Sequence, residues 1–115
     1  MLPAWARAGF DPPTDPVSHW VGDEQAIVAV PFGWPLRDRQ PQGRDNKILW
    51  IARSGQGPLS IVAVEQRTGE SVTQELPQGP GPSVVTMPRP GCWRFTLRWA
   101  DQHDELLVRY YGRPA

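Results

Sequence analysis

Residues 92–99 read CWRFTLRW, and the stretch alternates without a break. In an extended chain successive side chains point to opposite faces. Trp93, Phe95, Leu97 and Trp99 therefore share one face, and Cys92, Arg94, Thr96 and Arg98 share the other. Such a strand lays one side on a core and turns the other to water. After the polar break ADQHD (100–104), the run ELLVRYY (105–111) supplies an antiparallel partner.

The same punctuation recurs on the way back from this hairpin. SVVTM (83–87) stands between the breaks PQGPGP (77–82) and PRPG (88–91). PLSIVAVEQ (58–66), RTGE (67–70) and SVTQELP (71–77) form a hairpin signal, with Gly69 available for positive φ. NKILWIAR (46–53) puts Ile48, Trp50 and Ala52 on one face and Leu49 and Ile51 on the other, which predicts a central strand covered on both sides or packed under the N-terminal arm. QAIVAVPF (25–32) is a β-branched run stopped by Pro31, and GWPLRDRQPQGRD (33–45) is a long polar loop. Seven strands at spacings of roughly ten residues, with no helix-period segment of useful length, predict an all-β fold. The expected form is a seven-stranded antiparallel sandwich of two sheets, with a small barrel as the rival closure.

At 115 residues the chain is long enough for one core and too short for two. Residues 1–24 carry four Pro and no sustained period, so they read as an irregular N-terminal arm, and residues 25–115 as the sandwich. Trp5, Phe10 and Trp20 give the arm apolar weight that is expected to strap onto the body. Lys plus Arg equals Asp plus Glu at 12 each, so the long-range pull on nucleic acid or an anionic membrane surface is missing. No apolar run is long enough for a membrane span. Eleven Arg against the single Lys47 fit a GC-rich bacterial gene, which codon usage would test. The N-terminus lacks the basic and apolar regions of a signal peptide. As written the chain reads as cytoplasmic; extracytoplasmic residence is favoured if Met1 stands where an export leader has been trimmed.

The stretch PRPGCWRFTLRWADQHDELLVRYY (88–111) resembles the closing hairpin of bacterial immunoglobulin-like and fibronectin-like domains, where a Pro-Gly corner leads into an aromatic and then an apolar residue two positions on. The resemblance implies that Trp93 takes the place of the corner Tyr and Phe95 that of the second core Cys. No disulfide is possible with Cys92 alone, and an indole N–H, which only donates, needs a carbonyl to close the corner. More loosely, the chain is similar to small exported or lipid-anchored bacterial domains of unknown role.

Functional groups are sparse. Of the six Trp, Trp50 and Trp93 read as core, whereas Trp34 in the loop and Trp20 at the end of the arm stand where docking platforms occur, with strapping onto the body as the favoured reading of both. The loop interleaves Arg37, Arg39 and Arg44 with Asp38 and Asp45, a self-paired surface or a grip for a carboxylate or phosphate. Asn46 suits a corner in which its side chain bonds its own backbone two residues on. Lys47 is expected to lie along Trp50 or another aromatic, with its ammonium in water or near Asp45; contact with a ligand is the alternative. No nucleophile elbow, Cys–His pair, phosphate loop or metal-ligand spacing is legible, so neither catalysis nor a cofactor is expected. The leading reading is a non-catalytic binding module for a protein or carbohydrate partner, with Trp34, Arg37, Arg39, Arg44, Lys47 and Trp20 as the candidate contact residues. A structural module that pairs through edge strands, or forms a homodimer by edge pairing or arm exchange, is the second reading. A metal-handling domain using His19, His103 or Met87 is the third.

Overall fold

The alternation of residues 92–99 becomes the spine of the molecule. A computed structural model describes residues 3–7, 19–32, 35–40 and 45–112. Phe10, Trp34 and Arg44 lie outside the described residues. The elements are a one-turn helix α1 (Ala4–Arg7) and strands β1 (Trp20–Val21), β2 (Ile27–Pro31), β3 (Lys47–Ala52), β4 (Leu59–Glu65), β5 (Ser71–Leu76), β6 (Pro82–Val84), β7 (Gly91–Trp99) and β8 (Gln102–Tyr110). They form two antiparallel four-stranded sheets, ordered β1-β2-β3-β6 and β5-β4-β7-β8. The two sheets are separate, so the barrel alternative does not apply.

The described residues hold eight strands, not seven. The addition, β1, falls inside the segment expected to be irregular, and pairs Trp20 with Ala29 and Val21 with Val28. Two residues are too few to show a period of two, so the strand is set by its partner β2 and has no signal of its own. The seven sequence-derived strands all have counterparts, but β2 starts at Ile27 rather than residue 25. Gln25 has φ 56°, and the amides on either side of it bond to a side chain instead of a strand.

The face carrying Trp93, Phe95, Leu97 and Trp99 is fully buried between the sheets. Phe95 lies between Trp50 at 6.2 Å and 30° and Tyr110 at 6.3 Å and 19°. Aromatic pairs of this kind add about 0.5–1.5 kcal/mol beyond the area they bury. The indoles at the margins are tied to polar partners: Trp50 Nε1 donates to Ser83 Oγ at 3.2 Å and Trp99 Nε1 to Ser54 O at 2.8 Å. A second, smaller cluster covers the outer face of the first sheet, where Ala6, Val28 and Val30 pack with Trp5, Val21, Leu49 and Ile51. This is why every residue of β2 is buried, and why β3 carries apolar residues on both faces.

Asp104 locks the start of β2. It is wholly buried, and its Oδ1 accepts the amides of Glu24 and Glu105, both at 2.7 Å, while Oδ2 accepts those of Ala26 at 2.8 Å and Ile27 at 3.2 Å. Gly22 lets the turn close around the carboxylate, since a Cβ there would stand 2.1 Å from Oδ2.

Candidate ligand-binding groove

The antiparallel pairing of β4 with β7 matches Glu65 to Trp93, so the RTGE turn after β4 and the PRPG corner before β7 fall at the same end of the sandwich. The pairing of β7 with β8, Gly91 to Tyr110, brings the last residues of β8 to that end as well. Three segments far apart in sequence thus meet because of strand register alone.

Each is held by specific bonds. In the turn, Gly69 at φ 77° allows Glu65 N to donate to Glu70 O and Gly69 N to Glu65 O. The Glu65 side chain, 5% exposed, accepts the Arg67 amide at 2.7 Å. Gly91 crosses directly above it: a Cβ there would stand 3.0 Å from Glu65 Cγ. Gln66 N donates to Cys92 O, which carries the β4–β7 ladder past its last paired residue. The corner closes with Trp93 Nε1 donating to Arg89 O at 3.2 Å, the carbonyl partner that an indole in this position requires. Arg89 Nε reaches Glu70 Oε1 at 2.9 Å across the two turns.

The long loop supplies the remaining wall. Asn46 holds its N-terminal half in a way other than the expected corner bond to its own backbone. It is buried, and its amide acts as a surrogate strand: Oδ1 accepts Arg37 N at 3.1 Å and Nδ2 donates to Arg37 O at 2.6 Å. An amide can do both, whereas a carboxylate can only accept, which accounts for Asn at this position. Leu36 and Asp38 then pair with Tyr111, through Tyr111 N to Leu36 O at 2.8 Å and Asp38 N to Tyr111 O at 3.0 Å.

These segments enclose two adjoining depressions of about 500 and 560 Å³. Glu65, Arg67, Pro90 and Gly112 line both, Arg109 and Cys92 stand on one side, and Arg39 and Arg89 on the other. The lining carries four guanidiniums, Arg39, Arg67, Arg89 and Arg109, against two acidic residues, Asp38 and Glu65. Arg109 lies 5.1 Å over the Tyr111 ring and points Nη1 at Cys92 Sγ, 3.8 Å away. Burial pushes the neighbouring Tyr110 phenol up from its ordinary value, and its O–H donates to Val85 O at 2.6 Å.

Of the residues singled out in the sequence, Arg39 is exposed on the groove and Arg37 braces it by donating to Gly112 O. Lys47 sits on another face, 5.5 Å above the ring of Phe32, because Trp50 is turned into the core. Trp20 packs against the main core from β1. Trp34 and Arg44 lie outside the described residues. For the metal reading, Met87 is core, Asp104 is turned inward and His103 is exposed. Among the described residues no three His, Cys, Asp or Glu side chains gather to hold an ion. No helix of the described residues is long and apolar enough to cross a membrane.

Arg67, Arg89 and Arg109 were not legible as a site. Two of them sit in motifs read only as turns, and the signal that unites them is the β4–β7 register, which strand periodicity does not supply. No protein-family model matches this chain, and no match is found among curated proteins or among solved structures.

Proposed function

We propose that this chain is a non-catalytic binding module built on an immunoglobulin-like sandwich, with the arginine-lined groove at the RTGE and PRPG turns as its contact surface. Three features support the immunoglobulin-like assignment. The order β5-β4-β7-β8 parallels the C′-C-F-G order of such domains, and β2-β3-β6 follows A-B-E, with β1 added outside. Trp50 and Phe95, on the strands that would be B and F, meet where those domains carry their inter-sheet disulfide. Trp93 closes its corner onto a carbonyl four residues upstream.

The observation that carries the functional reading is the convergence of four guanidiniums in one groove, two of which, Arg39 and Arg67, have no side-chain acceptor among the described residues. Guanidinium forks bind planar oxyanions bidentately, and Arg89 and Arg109 are already restrained by their contacts with Glu70 and with Tyr111 and Cys92. The groove offers donors and ring surfaces, and its one buried carboxylate already accepts an amide. The test is calorimetric titration of the wild-type chain and an Arg67→Glu, Arg109→Glu double variant with short anionic ligands. Loss of heat in the variant is expected. Equal binding by both proteins would move the contact surface elsewhere, with Lys47 and Phe32 next in line.

Edge-strand assembly is the second reading. β5 is the outermost strand of its sheet and exposes Ser71, Thr73 and Glu75. Sedimentation of wild type and Thr73→Pro over a range of concentrations separates the two readings, because Pro removes an edge donor.

A further inference from the structure

The two depressions form one trough, since Arg67, Glu65, Pro90 and Gly112 line both halves. Arg67 stands at the shared centre, Arg109 toward one end, and Arg39 and Arg89 toward the other. Resting on the binding-module reading, we infer that the trough takes an extended acidic polypeptide segment, with one carboxylate between Arg67 and Arg109 and a second beside Arg39.

The state of each guanidinium points to this ligand. Arg39 and Arg67 have no side-chain acceptor among the described residues, so a carboxylate arrives without displacing one. Arg89 is already paired with Glu70, and it frames the trough rather than binding in it. Arg109 lies over the Tyr111 ring at 5.1 Å, and among the described residues the side-chain partner of its Nη1 is a thiol sulfur, a weak acceptor. The planar guanidinium fork matches the two oxygens of a carboxylate, which are far stronger acceptors than a thiol sulfur.

The same placement of Arg109 over the Tyr111 ring argues against a sugar or a nucleobase. Both use aromatic faces as platforms, and the Tyr111 face in this groove is covered by Arg109. The zero net charge of the chain removes the long-range attraction that a polyanion such as nucleic acid exploits, leaving recognition to short-range pairing. Pro88 and Pro90 add apolar ring surface along the trough, suited to the aliphatic parts of a peptide. A peptide of about nine residues spans roughly 30 Å when extended, enough to reach across this end of the molecule.

The experiment is fluorescence anisotropy of a dye-labelled nine-residue peptide of alternating Glu and Gly, titrated with the full chain. Its Gln analogue and an oligogalacturonate serve as competitors, and the rate of Cys92 alkylation by iodoacetamide is followed in parallel. The acidic peptide is expected to bind, to slow Cys92 alkylation, and to lose affinity about tenfold with Arg67→Ala, one charge-assisted bond's worth. Arg98→Ala, on the outer face of β7, is expected to leave binding unchanged. Failure of the acidic peptide to bind, or equal binding of the Gln analogue, overturns the inference. If oligogalacturonate binds in an Arg67-dependent way while the peptide does not, the peptide assignment falls and the binding groove stands. If neither ligand binds nor alters Cys92 alkylation, both fall.

Discussion

Asp104 and Glu65 are both buried acids at the margins of the same sandwich, and their surroundings are opposite. Asp104, near the β7–β8 turn, receives four backbone amides, and the β1–β2 turn wraps it so closely that only Gly fits at residue 22. Glu65, at the other end of the β4–β7 pair, receives one amide and forms the floor of an open groove ringed by guanidiniums. At the Asp104 end donors converge on an acceptor the protein supplies itself. At the Glu65 end Arg39 and Arg67 are exposed and have no side-chain acceptor among the described residues. The difference separates a structural pin from a surface arranged for an external acceptor.

The largest effect that tests this contrast is on stability. Asp104→Ala leaves four amides unsatisfied and is expected to cost on the order of 4 kcal/mol in urea unfolding, whereas Glu65→Ala, which orphans one amide at the surface, is expected to cost about 1 kcal/mol. Equal costs would remove the distinction between the two sites. Next comes Tyr110, whose proton is held more tightly in the folded state because of burial. The unfolded phenol gives up its proton first, so the stabilisation is complete below the ordinary tyrosine value of about 10 and declines above it by up to about 1.4 kcal/mol per pH unit. Urea midpoints measured from neutral to strongly alkaline pH should show this decline, and Tyr110→Phe should flatten it. The smallest effect is the most telling for function: Arg67→Ala should change stability by no more than about 0.5 kcal/mol, since its exposed side chain has no hydrogen-bond or ion-pair partner among the described residues.

The sheet pattern was legible where burial imposes a period. The residues of β7 alternate between core and surface as their order in the sequence requires, and β3 carries two apolar faces because two clusters cover it. What was not legible depends on register and on single bonds. β1 has two residues and exists through its pairing to β2. Asn46 was recognisable as a special position, yet its partner, the backbone of Arg37, lies across a loop whose path no local rule specifies. The groove was half visible: Arg37 and Arg39 stood out in a charged loop, while Arg67, Arg89 and Arg109 belong to segments that meet only once β4, β7 and β8 are aligned.

The most direct measurement is a ¹H–¹⁵N NMR titration of the full chain with the acidic peptide. The account predicts shifts that progress with peptide concentration at Gln66, Arg67, Cys92 and Arg109–Gly112, while the amides of Glu24, Ala26 and Ile27 around Asp104 stay in place. Shifts absent from the groove, or centred on Phe32 and Lys47, would contradict it.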